Sequence, residues 1–158
     1  RSRRQLQMCI RDRENALGLL ISELLPLSTV VTPNIPEAEV LSHMTINNTQ
    51  DIESAAKIIH KMGPDFVVIK GGHSNDSKSN DIIFDGQKFT TLEANRILTN
   101  NTHGTGCTYA SAIAAGLAKN YSVEKSVKEA KNYVTEAIKN EPGLGNGHGP
   151  LNHFFMLT

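Results

Sequence analysis

The stretch Asp65-Phe66-Val67-Val68-Ile69-Lys70 decides the fold class, because its apolar residues are consecutive instead of alternating with polar ones. Such a run is typical of a strand that is covered on both faces of a sheet. The preceding residues 49–62 have apolar side chains at helical spacing and end at Gly63-Pro64. A helix that leads into a doubly covered strand indicates an α/β fold.

Helical and extended patterns also alternate on the N-terminal side of this strand. Residues 14–25 predict a helix that Pro26 stops, and the largely β-branched residues 28–32 predict a short strand. A short helix is expected from about Pro36, because proline suits the first turn of a helix.

On the C-terminal side, a polar loop over 71–80 precedes two predicted strands, at 81–84 and 87–92. Asp85-Gly86 between them is a two-residue hairpin signal. Beyond the hairpin we expect two helices and a glycine-rich loop, at 103–119, 123–139 and 142–149. The alternation predicts a layered α/β sheet in which the hairpin is the antiparallel exception.

The composition excludes several classes of function. The chain has 158 residues, enough for one domain, and 39% of them are hydrophobic. No stretch approaches the ~18 consecutive apolar residues of a membrane span, and two cysteines are too few for a disulfide-rich scaffold. Because 16 Lys and Arg balance 16 Asp and Glu, we do not expect nucleic acid as a partner. The lack of a long apolar stretch likewise leads us to expect no membrane partner.

Residues 1–13 differ in composition from the rest of the chain. They contain five of the six arginines and a single acid, Asp12, whereas all ten lysines lie further on. Such a break indicates a basic arm, a targeting peptide or sequence foreign to the domain. We expect a non-native or disordered basic head over 1–13 and assign no function to it.

The segment Asn101-Thr102-His103-Gly104-Thr105-Gly106-Cys107-Thr108 leads directly into a helix rich in small residues. Its two glycines allow main-chain N–H groups to converge at a helix start, which favours binding of a phosphate. Cys107 lies at the same helix start, a position that favours the thiolate form, so it can act as a base or a nucleophile. The structural alternative is a simple glycine turn followed by a buried cysteine.

Two further segments are candidates for phosphate and metal binding. Asn34 and Glu37 follow a predicted strand, and an amide and a carboxylate three residues apart can reach one hydrated Mg²⁺. The alternative, which the residues alone favour, is that Asn34 caps a helix and Glu37 stabilises its first turn. Lys70-Gly71-Gly72 ends a strand at the rim where open α/β sheets bind ligands, unless Lys70 is simply solvated.

Together these segments resemble the hydroxymethylpyrimidine/phosphomethylpyrimidine kinase family of thiamine biosynthesis, within the ribokinase-like superfamily. The resemblance extends from about residue 16 to 157, and many superfamily relatives have Asp where this family has Cys. The similar strings are Thr32-Pro-Asn-Ile-Pro-Glu-Ala-Glu39, Val68-Ile-Lys-Gly-Gly-His73, Asn101-Thr-His-Gly-Thr-Gly-Cys-Thr108, Ala130-Lys131 and Gly147-His-Gly-Pro-Leu-Asn-His153.

The resemblance implies a ribokinase-like three-layer α/β/α sandwich with a mostly parallel sheet and a β-hairpin. It implies ATP-dependent phosphorylation of 4-amino-5-hydroxymethyl-2-methylpyrimidine and its monophosphate, with ATP and Mg²⁺ as cofactors. Gly104, Thr105 and Gly106 would form the anion hole, with Thr105 and Gly106 also touching the nucleotide, and Cys107 would be the catalytic base. The remaining implied roles are a Mg²⁺ site and a nucleotide-phosphate site, formed by Asn34 and Glu37 and by Lys70, Gly71 and Gly72 respectively.

The resemblance also has a departure. Members of the family begin with a long N-terminal half that carries most of the pyrimidine pocket, and this sequence has no counterpart of it. We therefore expect residues 14–158 to be the C-terminal part of a cytoplasmic kinase domain, a possible homodimer, and to be inactive alone. Loss of neighbouring strands would leave an unpaired sheet edge.

Three alternative functions remain open from the residues. A pyridoxal-type kinase of the same superfamily performs similar chemistry on a ring hydroxymethyl group. A non-catalytic nucleotide- or phosphate-binding module would keep the glycine-rich turn without turnover. A covalent Cys107 nucleophile with His103 as its partner is the third alternative, although no group that would orient the histidine is evident in the sequence.

Overall fold

The computed structural model of the chain describes residues 14–71, 78–99, 101–144 and 149–157. The head predicted over 1–13 lies outside these residues. The chain forms two compact units, which fall within residues 1–75 with 80–91 and within residues 76–79 with 92–158. Each unit has buried apolar residues of its own.

The first unit contains the sheet and the helices that precede its strands. Its elements in chain order are α1 (Glu14–Leu19), a π-helical turn (Leu20–Leu24), a 3₁₀ turn (Leu25–Leu27), β1 (Val30–Val31), α2 (Ile35–Ser42), α3 (Thr49–His60), β2 (Phe66–Ile69), β3 (Asp81–Phe84) and β4 (Phe89–Leu92), whose last residue falls in the second unit. The second unit contains two helices, α4 (Thr105–Ala118) and α5 (Val123–Lys139).

The sheet has four strands in the order β1-β2-β3-β4. β1 is parallel to β2, with Val30 opposite Phe66, whereas β3 is antiparallel to β2, with Val68 opposite Ile83. The sheet is therefore mixed, and the expectation of mostly parallel strands holds for β1 and β2 only. The connection from β2 to β3 is short for the crossover that a parallel neighbour requires, so β3 returns in the opposite direction.

The core of the first unit lies between α3 and the sheet. Ala55, Ala56 and Ile59 of α3 are fully buried, as are Val67 and Ile69 of β2. The apolar run at 65–70 predicts a covered strand, and its residues 67–69 are at most 1% exposed. Asn48 caps α3 through a hydrogen bond from the Asp51 N–H, which satisfies one of the donors at the helix start.

Two predicted elements are shorter than their patterns suggested. The helix predicted over 14–25 changes from α-helical to π-helical hydrogen bonding at Leu20 and ends in a 3₁₀ turn that contains Pro26. The strand predicted over 28–32 pairs at Val30 and Val31 only, opposite Phe66 and Val67. Within the described residues, no helix combines the length and the apolar character needed to cross a membrane.

Candidate phosphate and metal sites

The ends of the two parallel strands lie side by side. Asn34 and Lys70 form an isolated parallel bridge beyond β1 and β2, and the Lys70 N–H donates to the carbonyl oxygen of Pro33 at 2.9 Å. Carboxyl ends of neighbouring parallel strands are where open α/β sheets bind ligands. The structure therefore brings Asn34, Glu37 and Lys70 together, although the sequence analysis treated them as two separate segments.

Asn34 and Glu37 form a reciprocal capping box at the start of α2. The Glu37 N–H donates to Asn34 Oδ1 at 2.8 Å, and the Asn34 N–H donates to Glu37 Oε2 at 2.8 Å. The structural alternative for this pair is thus confirmed, because each side chain satisfies an N–H that the helix leaves without a partner. Lys70 Nζ lies 4.0 Å from the same Oε2 atom, in a partly exposed ion pair.

The capping box limits how these residues can hold a metal ion. Oε2 of Glu37 accepts a hydrogen bond, whereas no hydrogen bond to Oε1 occurs within the described residues. Mg²⁺ usually keeps several waters and takes one or two carboxylates, so Glu37 Oε1 fits a hydrated Mg²⁺ ion. Asn34 fits through a bound water, because its Oδ1 already accepts the Glu37 N–H. The part of the chain that the structure describes has no cluster of three His, Cys, Asp or Glu suited to a metal.

Position 71 requires glycine because the main chain of Asn80 lies very close to it. A β-carbon at Gly71 would overlap the carbonyl oxygen of Asn80, so no other residue fits this position without movement of the main chain. The Gly71 N–H donates to Asp81 Oδ1 at 3.2 Å and is therefore engaged within the fold. Gly72, the next residue of the predicted phosphate site, lies outside the described residues.

Asp81 is a residue that the sequence analysis missed. It is the first residue of β3 and only 1% exposed. Its Oδ1 accepts a hydrogen bond from the N–H of Gly71, the residue that follows Lys70. A charged residue at the head of the apolar run Ile82-Ile83-Phe84 was the available signal, because a carboxylate enters a buried strand only where donors satisfy it.

The glycine-rich segment forms the start of α4, in the second unit. Gly104 is the N-cap and has φ of 86°, in the left-handed region that favours glycine. The Thr105 N–H donates to the Thr102 carbonyl at 3.2 Å, and its hydroxyl donates to the same oxygen at 2.7 Å. Gly106 is exposed, and no hydrogen bond of its N–H occurs within the described residues. Of the two amides, that of Gly106 is therefore the better placed to meet an anion.

Cys107 is the third residue of α4 and is half-buried, with its thiol outside any disulfide. The residue is therefore not fully buried, which the predicted role as a base requires. His103 is exposed, and its main-chain N–H donates to the Gly149 carbonyl at 3.3 Å. The histidine thus belongs to a parallel bridge with Pro150, which gives no support to a Cys107–His103 pair.

Similarity to known proteins covers most of this chain. Residues 12–152 match the protein family described as "Phosphomethylpyrimidine kinase". The chain is 45% identical over 143 residues to the hydroxymethylpyrimidine/phosphomethylpyrimidine kinase of Bacillus subtilis strain 168, which covers 90% of this chain and 53% of that protein. It is 46% identical over 138 residues to the "Thiamine biosynthesis bifunctional protein ThiED" of Geobacter sulfurreducens, covering 87% of this chain and 28% of that protein.

A solved structure gives the same result at the level of the fold. The pyridoxal kinase from Staphylococcus aureus in complex with AMP-PCP superposes with a TM-score of 0.85 at 40% identity, covering 90% of this chain and 53% of that one. The chain spans about half the length of the Bacillus subtilis and Staphylococcus aureus proteins and 28% of the Geobacter sulfurreducens protein. The resemblance stated from the motifs is confirmed, together with a ribokinase-like α/β fold. Because the family match includes residues 12–152, the chain belongs to the phosphomethylpyrimidine kinase family.

Proposed function

We propose that the chain contributes the phosphoryl-transfer machinery of an ATP-dependent kinase of 4-amino-5-hydroxymethyl-2-methylpyrimidine and its monophosphate. The observation that carries the proposal is the start of α4, where a left-handed Gly104, an exposed Gly106 and a half-buried Cys107 follow one another. Phosphoryl transfer requires positioned donors and charge neutralisation more than covalent catalysis. A relative at 45% identity is named for this reaction.

In this proposal Cys107 is the base. Its thiolate takes the proton from the acceptor oxygen of the substrate while that oxygen forms a bond to the γ-phosphorus of ATP. The bond from the γ-phosphorus to the bridging oxygen breaks, and ADP leaves with the electron pair. The Gly106 N–H and the start of α4 stabilise the negative charge on the transferring group, because helix starts carry unpaired donors and a partial positive charge.

The residues at the strand ends serve the nucleotide. Lys70 is proposed to face the ATP phosphates, and its ammonium group, 4.0 Å from Glu37 Oε2, is held near the carboxylate that fits hydrated Mg²⁺. Bound Mg²⁺ would supply charge neutralisation to the phosphates. Gly71 contributes through its missing side chain, since its amide is engaged by Asp81.

The test joins residues 14–158 to the segment of the Bacillus subtilis relative that has no counterpart in this chain. We expect the completed enzyme to convert ATP and hydroxymethylpyrimidine to ADP and the phosphorylated pyrimidine, whereas residues 14–158 alone bind AMP-PCP without turnover. The reaction is followed by ADP release and by phosphorus NMR of the product. A completed, folded enzyme that binds AMP-PCP and transfers no phosphate would overturn the proposed kinase activity and support a non-catalytic nucleotide-binding module.

A pyridoxal kinase is the second candidate, because the superposed Staphylococcus aureus protein is named as one. Both substrates present a hydroxymethyl group on a heteroaromatic ring, so the α4 machinery would serve either. Parallel assays of the completed enzyme with pyridoxal and hydroxymethylpyrimidine distinguish them. Phosphorylation of pyridoxal without phosphorylation of hydroxymethylpyrimidine would overturn the first candidate.

A further inference from the structure

We propose that Asp81 is a positioning residue that fixes the main chain at Lys70-Gly71 and thereby the ammonium group of Lys70. The inference rests on the proposed function, because it concerns the residue expected to face the ATP phosphates. Its starting point is a buried carboxylate that forms a hydrogen bond to the residue directly after Lys70.

Two hydrogen bonds hold the end of β2 from opposite sides. The Lys70 N–H donates to Pro33 beyond β1 at 2.9 Å, and the Gly71 N–H donates to the Asp81 side chain of β3 at 3.2 Å. The last pair of the β2–β3 ladder is Ile69 with Ile82. At Gly71 the Asp81 carboxylate thus replaces a main-chain carbonyl as the acceptor, and the hydrogen bonding between β2 and β3 continues past the last ladder pair.

The burial of Asp81 makes a purely structural role an expensive arrangement. Asp81 is 1% exposed, and the rest of β3 is buried and apolar. A buried carboxylate loses its hydration, so an apolar residue at this position would commonly serve stability as well or better. The carboxylate does provide an acceptor at a defined point, which an apolar side chain does not.

The close approach of Gly71 to Asn80 makes the attachment rigid. No side chain fits at Gly71, because the Asn80 carbonyl occupies the space. The main chain at 70–71 is therefore limited by Asn80 and held by Asp81. Lys70, whose side chain is 20% exposed, extends from this fixed point toward Glu37. Loss of the hydrogen bond from the Gly71 N–H to Asp81 would allow the main chain at Lys70 to move, and the Lys70 side chain with it.

The experiment compares Asp81→Ala and Asp81→Asn with Ile83→Val in the 158-residue chain. Ile83 is buried in the same strand, so its truncation lowers stability without removing the bond to Gly71. The dissociation constant of AMP-PCP with Mg²⁺ is measured by calorimetry on the folded fraction. We expect Asp81→Ala to weaken binding about tenfold, Asp81→Asn to weaken it clearly less because it keeps an acceptor oxygen, and Ile83→Val to change it less than about twofold.

Two further measurements separate positioning from general destabilisation. In a Lys70→Ala background, Asp81→Ala should weaken AMP-PCP binding by less than about a further twofold, because Asp81 is proposed to affect binding only through the ammonium group of Lys70. Hydrogen exchange of the Gly71 amide should become at least about tenfold faster in Asp81→Ala, while the Lys70 amide, bonded to Pro33, changes little.

The outcomes distinguish this inference from the proposed function. If the wild-type chain does not bind AMP-PCP, the nucleotide role proposed for Lys70 is overturned, and the role of Asp81 with it. If the wild-type chain binds AMP-PCP and Asp81→Ala matches Ile83→Val, the proposed function stands and the positioning role of Asp81 is wrong. Independent effects of Lys70→Ala and Asp81→Ala would overturn it as well.

Discussion

A cysteine can take a proton from a substrate only as a thiolate that the substrate reaches, and Cys107 is half-buried near the start of α4. We expect Cys107→Ala to lower kcat of the completed enzyme by about 10²–10⁴-fold, the usual contribution of a positioned base. The affinity for AMP-PCP should change little, because the base acts in the transition state. Steady-state kinetics and calorimetry check both values.

Ser111→Ala is the matched control for Cys107→Ala. Ser111 lies one helical turn further along α4 and is exposed, so its hydroxyl is removed from the same helix without loss of the proposed base. Its kcat should stay close to the wild-type value. Retention of more than about a tenth of kcat by Cys107→Ala would exclude the thiol as the base.

Gly104 gives a prediction about conformation alone. Its φ is 86°, and a β-carbon there would meet no atom within 4 Å, so a substitution is penalised by main-chain strain and not by a clash. Gly104→Ala should lower the free energy of unfolding by about 1–2 kcal/mol, and Gly104→Asn by less, because Asn tolerates the left-handed region. Equal losses in denaturant titrations of both variants would contradict this reason.

At this scale the sequence predicted local main-chain conformation but not long-range contacts. The capping alternative for Asn34 and Glu37 followed from their spacing and is confirmed. The bond from Gly71 to Asp81 could not be predicted, because it joins residues ten positions apart across a loop. The roles of Gly104, Gly106 and Cys107 in catalysis stay predictions.

The turn that leaves β2 gives a prediction at the scale of elements. Gly71→Ala should lower the free energy of unfolding by more than about 2 kcal/mol, because a side chain there meets a main-chain carbonyl that cannot rotate away. Gly18→Ala in α1 is the matched control, since a β-carbon there meets nothing. It should raise stability by about 0.5–1 kcal/mol. Equal signs for the two variants in urea titrations would contradict the steric reason.

The contact between α4 and α5 depends on two small residues. A β-carbon at Gly116 would lie 2.7 Å from Ser126 Oγ, and that buried hydroxyl has no hydrogen-bond partner within the described residues. Ser126→Ala should therefore leave stability unchanged or raise it by up to about 1 kcal/mol. Gly116→Ala should lower it by about 1–3 kcal/mol. A clear loss of thermal stability in Ser126→Ala would reveal a partner for the hydroxyl.

The hairpin between β3 and β4 gives the chain a pH-dependent contribution. The main-chain N–H groups of Lys88 and Gln87 donate to Asp85 and lower the pKa of its carboxyl from the ordinary 3.8. The stabilisation is therefore complete above pH 3.8 and is lost as the pH falls through the lowered value.

Asp85→Ala measures this contribution. The difference in unfolding free energy between wild type and Asp85→Ala should be constant near neutral pH and decrease below pH 3.8. Denaturant titrations over this range, together with the NMR titration of the Asp85 carboxyl, provide the measurement. A difference that grows on acidification would reverse the predicted sign.

Helices and strands could be predicted from the sequence where the periodicity of their apolar residues was strong. The three long helices α3, α4 and α5 and the strands β2 and β3 lie close to their predicted positions. The hydrogen-bond change at Leu20 could not be predicted, because a π-helical stretch of five residues is too short to show a periodicity of its own. The length of β1 depends on its pairing with β2, which no local pattern contains.

At the scale of the molecule, the α/β class and the family followed from the sequence, whereas the strand directions did not. A polar loop between two apolar runs is compatible with either direction of the second strand until its partner is known. The structure makes β3 antiparallel to β2. The division into two units also lies beyond composition and periodicity, because it depends on long-range contacts.

The packing of Gly71 against Asn80 has a consequence for the evolution of this chain. The atom that leaves no room for a side chain at 71 is a carbonyl oxygen of the main chain, which all twenty amino acids possess. No replacement of Asn80 can create space, so compensating pairs of mutations are closed to these two positions. This contact therefore restricts position 71 to glycine and places no restriction on the side chain at position 80, and a side chain at 71 would require a different path of the main chain.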